Sequence, residues 1–232
     1  LNIQIPKRVD YLRVIIMELS RIADHIICNT IIAQDTGATT TFLYLFQYRE
    51  HIYEIFFYIC FFRLTSFFVR ICGLERDFND IAFAKINKFL IDYPIALKEF
   101  ESLLNRNRIF IDRTAGVAQV SQEDALSYGW TGPLLRATGV DYDVRVSEPY
   151  SSYQDFDFEV PVGTSGDIYD RYLVRNEEMW QSVRIIEQAI EKLKSEPKGV
   201  FHADVPAFYL PAKEEVYNNM EALIYHFKIV MG

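Results

Sequence analysis

The chain has 232 residues, half of them hydrophobic and 24% charged, with 32 acidic against 24 basic side chains and a net charge of −8. That length suffices for one large core, with two domains possible but not required, and an acidic chain without a concentrated basic patch is a poor binder of free nucleic acid. Three cysteines, Cys28, Cys60 and Cys72, form no C-x-x-C pair, which argues against a disulfide scaffold and against an iron–sulfur or zinc cage and fits buried, reduced thiols in a cytosolic-type compartment.

No signal-peptide pattern precedes the first helix, and a chain beginning at Leu1 reads as part of something longer. After Pro6, "KRVDYLRVIIMELSRIADHIICNTII" carries apolar residues at helical spacing, which predicts a helix over about 7–33. "DTGATTT", Asp35 to Thr41, is a break. The spacing then predicts a second helix over 42–72, ended by Gly73 as its C-terminal cap. This helix contains "EIFFYICFFRLTSFFVRICG", whose uncharged run stops at Arg63, too short for the roughly 20 apolar residues that a bilayer requires. Phe57, Phe61, Leu64 and Phe68 share one face of such a helix while Phe56, Phe62 and Val69 cover others, the pattern of a buried core helix.

A third helix is predicted over 80–106, capped by Asn79 or Asp80, with Pro94 expected to kink or split it. From 107 to 166 the text is a loop-rich insert with brief strand-like runs, such as "NRIFIDRTAGVAQVS", and one short helix opened by the capping box "SQED". So long a span without a major helix is usually functional. "GDIYDRYLVRNEEMWQSVRIIEQAIEKLK" predicts an amphipathic helix over 167–194, with Asp167 at its start and Lys192 and Lys194 at its end, as the helix dipole favours. A last helix is predicted over 212–231. The expected fold is mainly α: a helical bundle with a loop-rich insert containing short β strands, treated as one domain over 1–232.

Candidates for chemistry are sparse. His25, His51, His202 and His226 show no metal-ligand spacing, and His25 on an apolar helix face reads as a core histidine. There is no nucleophile elbow, Walker loop or dinucleotide fingerprint. Asp35, beside Gly37 and between two apolar helices, reads equally as a helix cap or as a half-buried proton-handling carboxylate. Arg63 and Arg70, two turns apart on the predicted second helix, require partners. Structural pairs with carboxylates such as Asp77, or a cationic surround for an anionic or redox group, both satisfy that need. Asp167, Asp170, Arg171, Arg175 and Glu178 read as surface ion pairs or as a buried network at a helix start.

Six stretches in order, "PKRVDYLRVIIMELSRIADHI", "DTGATTTFLYLFQYRE", "ESLLNRNRIFIDRT", "YGWTGPLLRATGVDYDVR", "EPYSSYQDFDFEVPVGTSGDIYDRYLVRNEEMWQS" and "MEALIYHFK", resemble the quinone-site D subunit of respiratory complex I. This family is related in fold to the large subunit of nickel–iron hydrogenases. The resemblance implies a peripheral subunit on the cytoplasmic face of a bacterial inner membrane, beside the terminal iron–sulfur cluster of a neighbouring subunit. Quinone would be the substrate at that interface. NADH, FMN and the iron–sulfur clusters would belong to partner subunits, leaving this chain with no cofactor or metal of its own.

By the same resemblance Asp35 matches the aspartate that pairs with the quinone-binding histidine, and so takes a place in proton relay. Arg63 and Arg70 match arginines on the cluster side. The family's head-group histidine and tyrosine fall before Leu1, and Thr65 stands where some members carry a redox-linked histidine. Where members have small and acidic residues, this chain has Phe56, Phe57, Tyr58, Phe61, Phe62, Phe67 and Phe68, bulk that fills space and pushes neighbours apart. The expected function is thus a subunit of the proton-translocating NADH:quinone oxidoreductase; the alternative is a non-catalytic helical interaction module that keeps the fold.

Overall fold

A computed structural model describes residues 3–64, 67–205 and 210–231. The described residues are mainly α-helical. Four long helices make the bundle: α1 (Lys7–Asp35), α2 (Thr39–Cys60), α3 (Asp80–Leu104) and, after the insert, α8 (Ile168–Leu193). α1 packs against both α2 and α8, and α3 closes the bundle against the same two. Leu12, Ile15, Leu19, Ile22 and Ile26 recur along α1 at the three- and four-residue spacing that lines one face, and all are fully buried. Leu45 and Ile52 of α2, Ile86, Tyr93, Leu97 and Phe100 of α3, and Tyr172, Met179 and Ile186 of α8 meet them in one core.

The second helix is shorter than its composition predicts. α2 ends at Cys60, and Phe61 takes the left-handed conformation (φ 62°) with its N–H donated to Phe57 O at 2.9 Å. The chain then turns into a two-residue hairpin, β1 (Val69–Arg70) paired antiparallel with β2 (Gly73–Leu74). The buried-helix expectation for 54–73 is therefore corrected. Phe56 and Phe68 are buried, but Phe57, Tyr58, Phe61, Phe62, Leu64, Phe67 and Ile71 are exposed, and Thr65 lies outside the described residues. Gly73 does not cap a helix. It sits under the returning segment, where an added Cβ would lie 2.4 Å from Phe201 O, while Leu74 N–H donates to that oxygen and Ala203 N–H to Cys72 O, each at 2.8 Å.

α3 starts where Asn79 accepts a hydrogen bond from Ala82 N–H at 2.7 Å. Pro94 does not split it. One lost helical bond is outweighed by the burial of Tyr93, Ala96, Leu97 and Phe100 around it. The strand-like reading of "NRIFIDRT" is also corrected: it forms α4 (Arg108–Thr114), capped by Asn107 and anchored by the Phe110 ring 5.0 Å from that of Tyr172. The described strands lie at 69–74, and the insert consists of short helices joined by loops: α5 (Gln122–Ser127), α6 (Gly132–Ala137), α7 (Val144–Ser147) and a 3-10 turn at Tyr153–Asp155. The last predicted helix is two, α9 (Lys213–Asn218) and α10 (Met220–Met231), divided at extended Asn219, whose side chain accepts from Glu221 N–H at 2.9 Å.

Candidate functional site

Asp35 is the last residue of α1 and is exposed at the connection to α2. Arg70 lies far from it. Arg13, near the start of α1, donates to the backbone carbonyls of Arg70 and Gly73 at 2.9 and 3.0 Å, which places the hairpin beside that end of the helix. The 22 residues from Arg13 to Asp35 span roughly 33 Å of helix, so the structure does not bring Asp35 and Arg70 into one site. Arg63 pairs directly with Glu50 at the solvent-exposed surface, and Arg70 reaches Glu75 at 3.6 Å, again with both side chains partly solvated. Neither arginine pairs with Asp77, which instead holds Arg8 through three hydrogen bonds of 2.9–3.2 Å. The solvated Arg63–Glu50 and Arg70–Glu75 pairs add little stability.

Asp167, Asp170 and Arg171 lie together at the start of α8. Asp167 caps the helix, accepting from Asp170 N–H, and takes a second bond from Gly116 N–H, both at 2.8 Å. Asp170 accepts from the Thr164 and Ser165 amides. Arg171 donates to Ala118 O and Gly166 O at 2.7 and 2.9 Å and lies over the Trp130 ring. Apart from the cap bond itself, these bonds tie insert loops to the helix start. Gly166 is needed there, since at φ 67° an added Cβ would stand 2.4 Å from Val120 O.

The largest polar assembly was not foreseen from the sequence. Eight ionisable groups form one chain of contacts: Arg21, Glu18, Arg145, Asp143, Arg136, Glu178, His25, Asp24. Arg145 donates to Glu18 at 3.2 Å and grips Asp143 at 2.7 and 3.1 Å. Arg136 approaches Asp143 at 3.9 Å and donates to Glu178 at 2.5 and 2.8 Å. The other Glu178 oxygen lies 2.5 Å from His25 Nε2. Tyr153 and Ser182 hydroxyls each donate to Glu18 at 2.6 Å. All six inner members are buried, and only the end members Arg21 and Asp24 reach solvent.

The electrostatics follow from this geometry. Burial pushes the Glu18 carboxyl up, but Arg21, Arg145 and the two hydroxyl donors outweigh it and hold it below the usual carboxylate range. Glu178 is likewise raised by burial and brought below that range by His25 and Arg136, and Asp143 by Arg145 and Arg136. Tyr153 is driven upward by burial and by the Glu18 charge, so its hydroxyl stays a donor. Glu18 and His25 come from α1, Arg136 from α6, Asp143 and Arg145 from the start of α7, and Glu178 from α8. The assembly therefore pins the insert to the bundle with charge. A sequence signal existed: Glu18, His25 and Asn29 fall on the same stripe of α1 as Ile15, Ile22 and Ile26, where a polar residue must find a buried partner. Asn29 finds Asn176 at 2.8 Å.

No group of three or more His, Cys, Asp or Glu side chains among the described residues is arranged to hold a metal ion, and no described helix is long and apolar enough to cross a membrane. The fold and its internal charge define a helical scaffold whose ionisable groups hold elements together. Residues 35–232 match the family described as respiratory-chain NADH dehydrogenase, 49 Kd subunit, and the chain belongs to that family. It is 68% identical over 231 residues to a Cytophaga hutchinsonii protein named as the second D subunit of NADH-quinone oxidoreductase, a match covering 100% of this chain and 59% of the relative. It is 63% identical over 233 residues to the NADH-quinone oxidoreductase D subunit of Flavobacterium psychrophilum, covering 100% and 56%. To the D subunit of the same enzyme in Leptospira biflexa it is 51% identical over 231 residues, covering 100% and 56%. The chain thus spans little more than half the length of these relatives.

Proposed function

We propose that this chain is part of a subunit of the proton-translocating NADH:quinone oxidoreductase, peripheral to the membrane and contributing to quinone reduction beside the terminal iron–sulfur cluster of a neighbouring subunit. The observation that carries the reading is a family match over 35–232 together with relatives of that name aligned over the whole chain. NADH, FMN and the clusters are assigned to partner subunits, and quinone is a substrate held at an interface. Asp35, exposed at the α1–α2 connection, is accessible to a partner segment or a quinone-side donor and takes the role of proton relay. Arg70 lies at the opposite end of the bundle, and it and Arg63 face the cluster-bearing subunit. About 30 Å of helix separates the two ends, so these are distinct tasks. Asp167, Asp170 and Arg171 are structural.

The test is Asp35→Asn in the full-length, assembled enzyme. Quinone reductase activity is expected to fall while assembly stays intact, and unchanged turnover would remove Asp35 from the mechanism.

A second reading, a non-catalytic interaction module, is favoured by the exposed rings of Phe57, Tyr58, Phe61, Phe62 and Phe67, since contiguous exposed apolar surface marks a contact. Saturable quinone binding by the full-length protein would decide against it.

A further inference from the structure

We propose that His25 is a buried proton-binding site, holding both ring protons as an imidazolium that completes the charge balance of the bundle's core. The order of contacts carries the inference. Along Arg21, Glu18, Arg145, Asp143, Arg136, Glu178, His25 and Asp24, cation and carboxylate alternate without exception if His25 is a cation. The six inner groups hold three carboxylates, Glu18, Asp143 and Glu178, against only two guanidinium groups, Arg136 and Arg145, and none is more than 7% exposed. The outer two add one charge of each sign and leave that balance unchanged. An uncompensated charge in such a setting is strongly destabilising, and the imidazole is the one inner member able to supply a further cation.

The ring geometry agrees. Nε2 lies 2.5 Å from Glu178 Oε2, and Nδ1 faces Asp24 Oδ2 at 3.8 Å. Nδ1 is fully buried and has no hydrogen-bond partner. A neutral ring protonated on Nε2 would set the Nδ1 lone pair against a carboxylate; a doubly protonated ring presents an N–H to each. Groups facing the pair from the packed elements are Glu178 and Arg175 of α8, Arg136 of α6 and Arg49 of α2. Arg49 and Arg175 act on Asp24 from a distance, without an ion pair to it among the described residues. The proton therefore belongs to the clamp that holds the insert.

The experiment is ¹⁵N-histidine NMR on the full-length protein carrying this chain, with the His25 signals assigned by their loss in His25→Gln. At about pH 8, where an ordinary solvated imidazole is neutral, His25 is expected to show two protonated ring nitrogens. A single protonated nitrogen at that pH would overturn the proposal. A second readout is the melting temperature: His25→Gln is expected to lower it by roughly 6 °C or more, and His25→Gln/Glu178→Gln to recover part of the loss by removing the orphaned charge. An unchanged melting temperature in His25→Gln is equally decisive against it.

Discussion

Glu18 and Arg145 stand 127 residues apart in the chain and meet inside the protein, Nη1 to Oε1 at 3.2 Å, with both side chains almost wholly removed from water. Arg145→Leu leaves Glu18 with Arg21 and two hydroxyl donors as its remaining partners. We expect a loss of ~3–5 kcal/mol, read by urea unfolding. Glu18→Gln/Arg145→Leu is expected to cost less than the sum of the two single changes, a coupling that a double-mutant cycle measures directly.

Acid should loosen the same clamp. Glu18, Asp143 and Glu178 titrate below the usual carboxylate range in the folded protein. Their contribution is fully present above the unfolded-chain value of about 4 and is lost as pH falls through the folded values. Stability should therefore decline on acidification, and Glu18→Gln should flatten that decline. A melting curve from pH 7 to pH 3 with no difference in slope between the two proteins would remove Glu18 from the account.

Gly73→Ala tests the crossing of the hairpin by the returning segment. The new Cβ would meet Phe201 O and the His202 Cα at 2.4 and 2.6 Å, so one backbone must move. A cost of ~1–3 kcal/mol is expected, with faster amide exchange at Leu74 and Ala203, whose bonds hold the crossing.

Asp167→Ala removes the α8 cap and the Gly116 tie together, whereas Asn79→Ala removes only the α3 cap. The first is expected to cost more than the ~1 kcal/mol of a cap alone and the second about that amount. Equal losses in a denaturant titration would show that the Gly116 tie adds nothing.

Phe62 and Phe67 face each other edge to face, centroids 6.0 Å apart, on the surface. Phe62→Ser/Phe67→Ser should leave the melting temperature within a few degrees of the parent. If the aromatic surface is a partner contact, the full-length variant should recover fewer partner subunits after mild detergent extraction. Undiminished recovery would detach the rings from assembly.

Periodicity and caps made α1, α3 and α8 legible, because each carries one apolar stripe and a recognisable start at Pro6, Asn79 or Asp167. They failed at the end of α2. A run apolar on every side has no phase with which to mark a break, and the residue that turns the chain, Phe61 at φ 62°, is a type that seldom adopts that conformation. In the insert, helices of four to seven residues are too short to show a period, although Asn107, Ser121 and Asp143 are all capping residues in plain view. The charge chain was least legible. Its members on α1 share that helix's spacing, but those on α6, α7 and α8 are related to them by no spacing, and His25 read alone gives only half of a pair.

The order in which the charge chain is made has a consequence for biosynthesis. Glu18 leaves the ribosome 127 residues before Arg145 and 164 before Ser182. At about 5–20 residues per second, its buried cation follows on the order of ten seconds later. Until then Glu18 has only the partly solvated Arg21 as a cationic partner, and the apolar stripe of α1 cannot close against α8, which has not yet been translated. Glu18 therefore waits for its buried partners, and the face of α1 that carries it stays open until α8 follows.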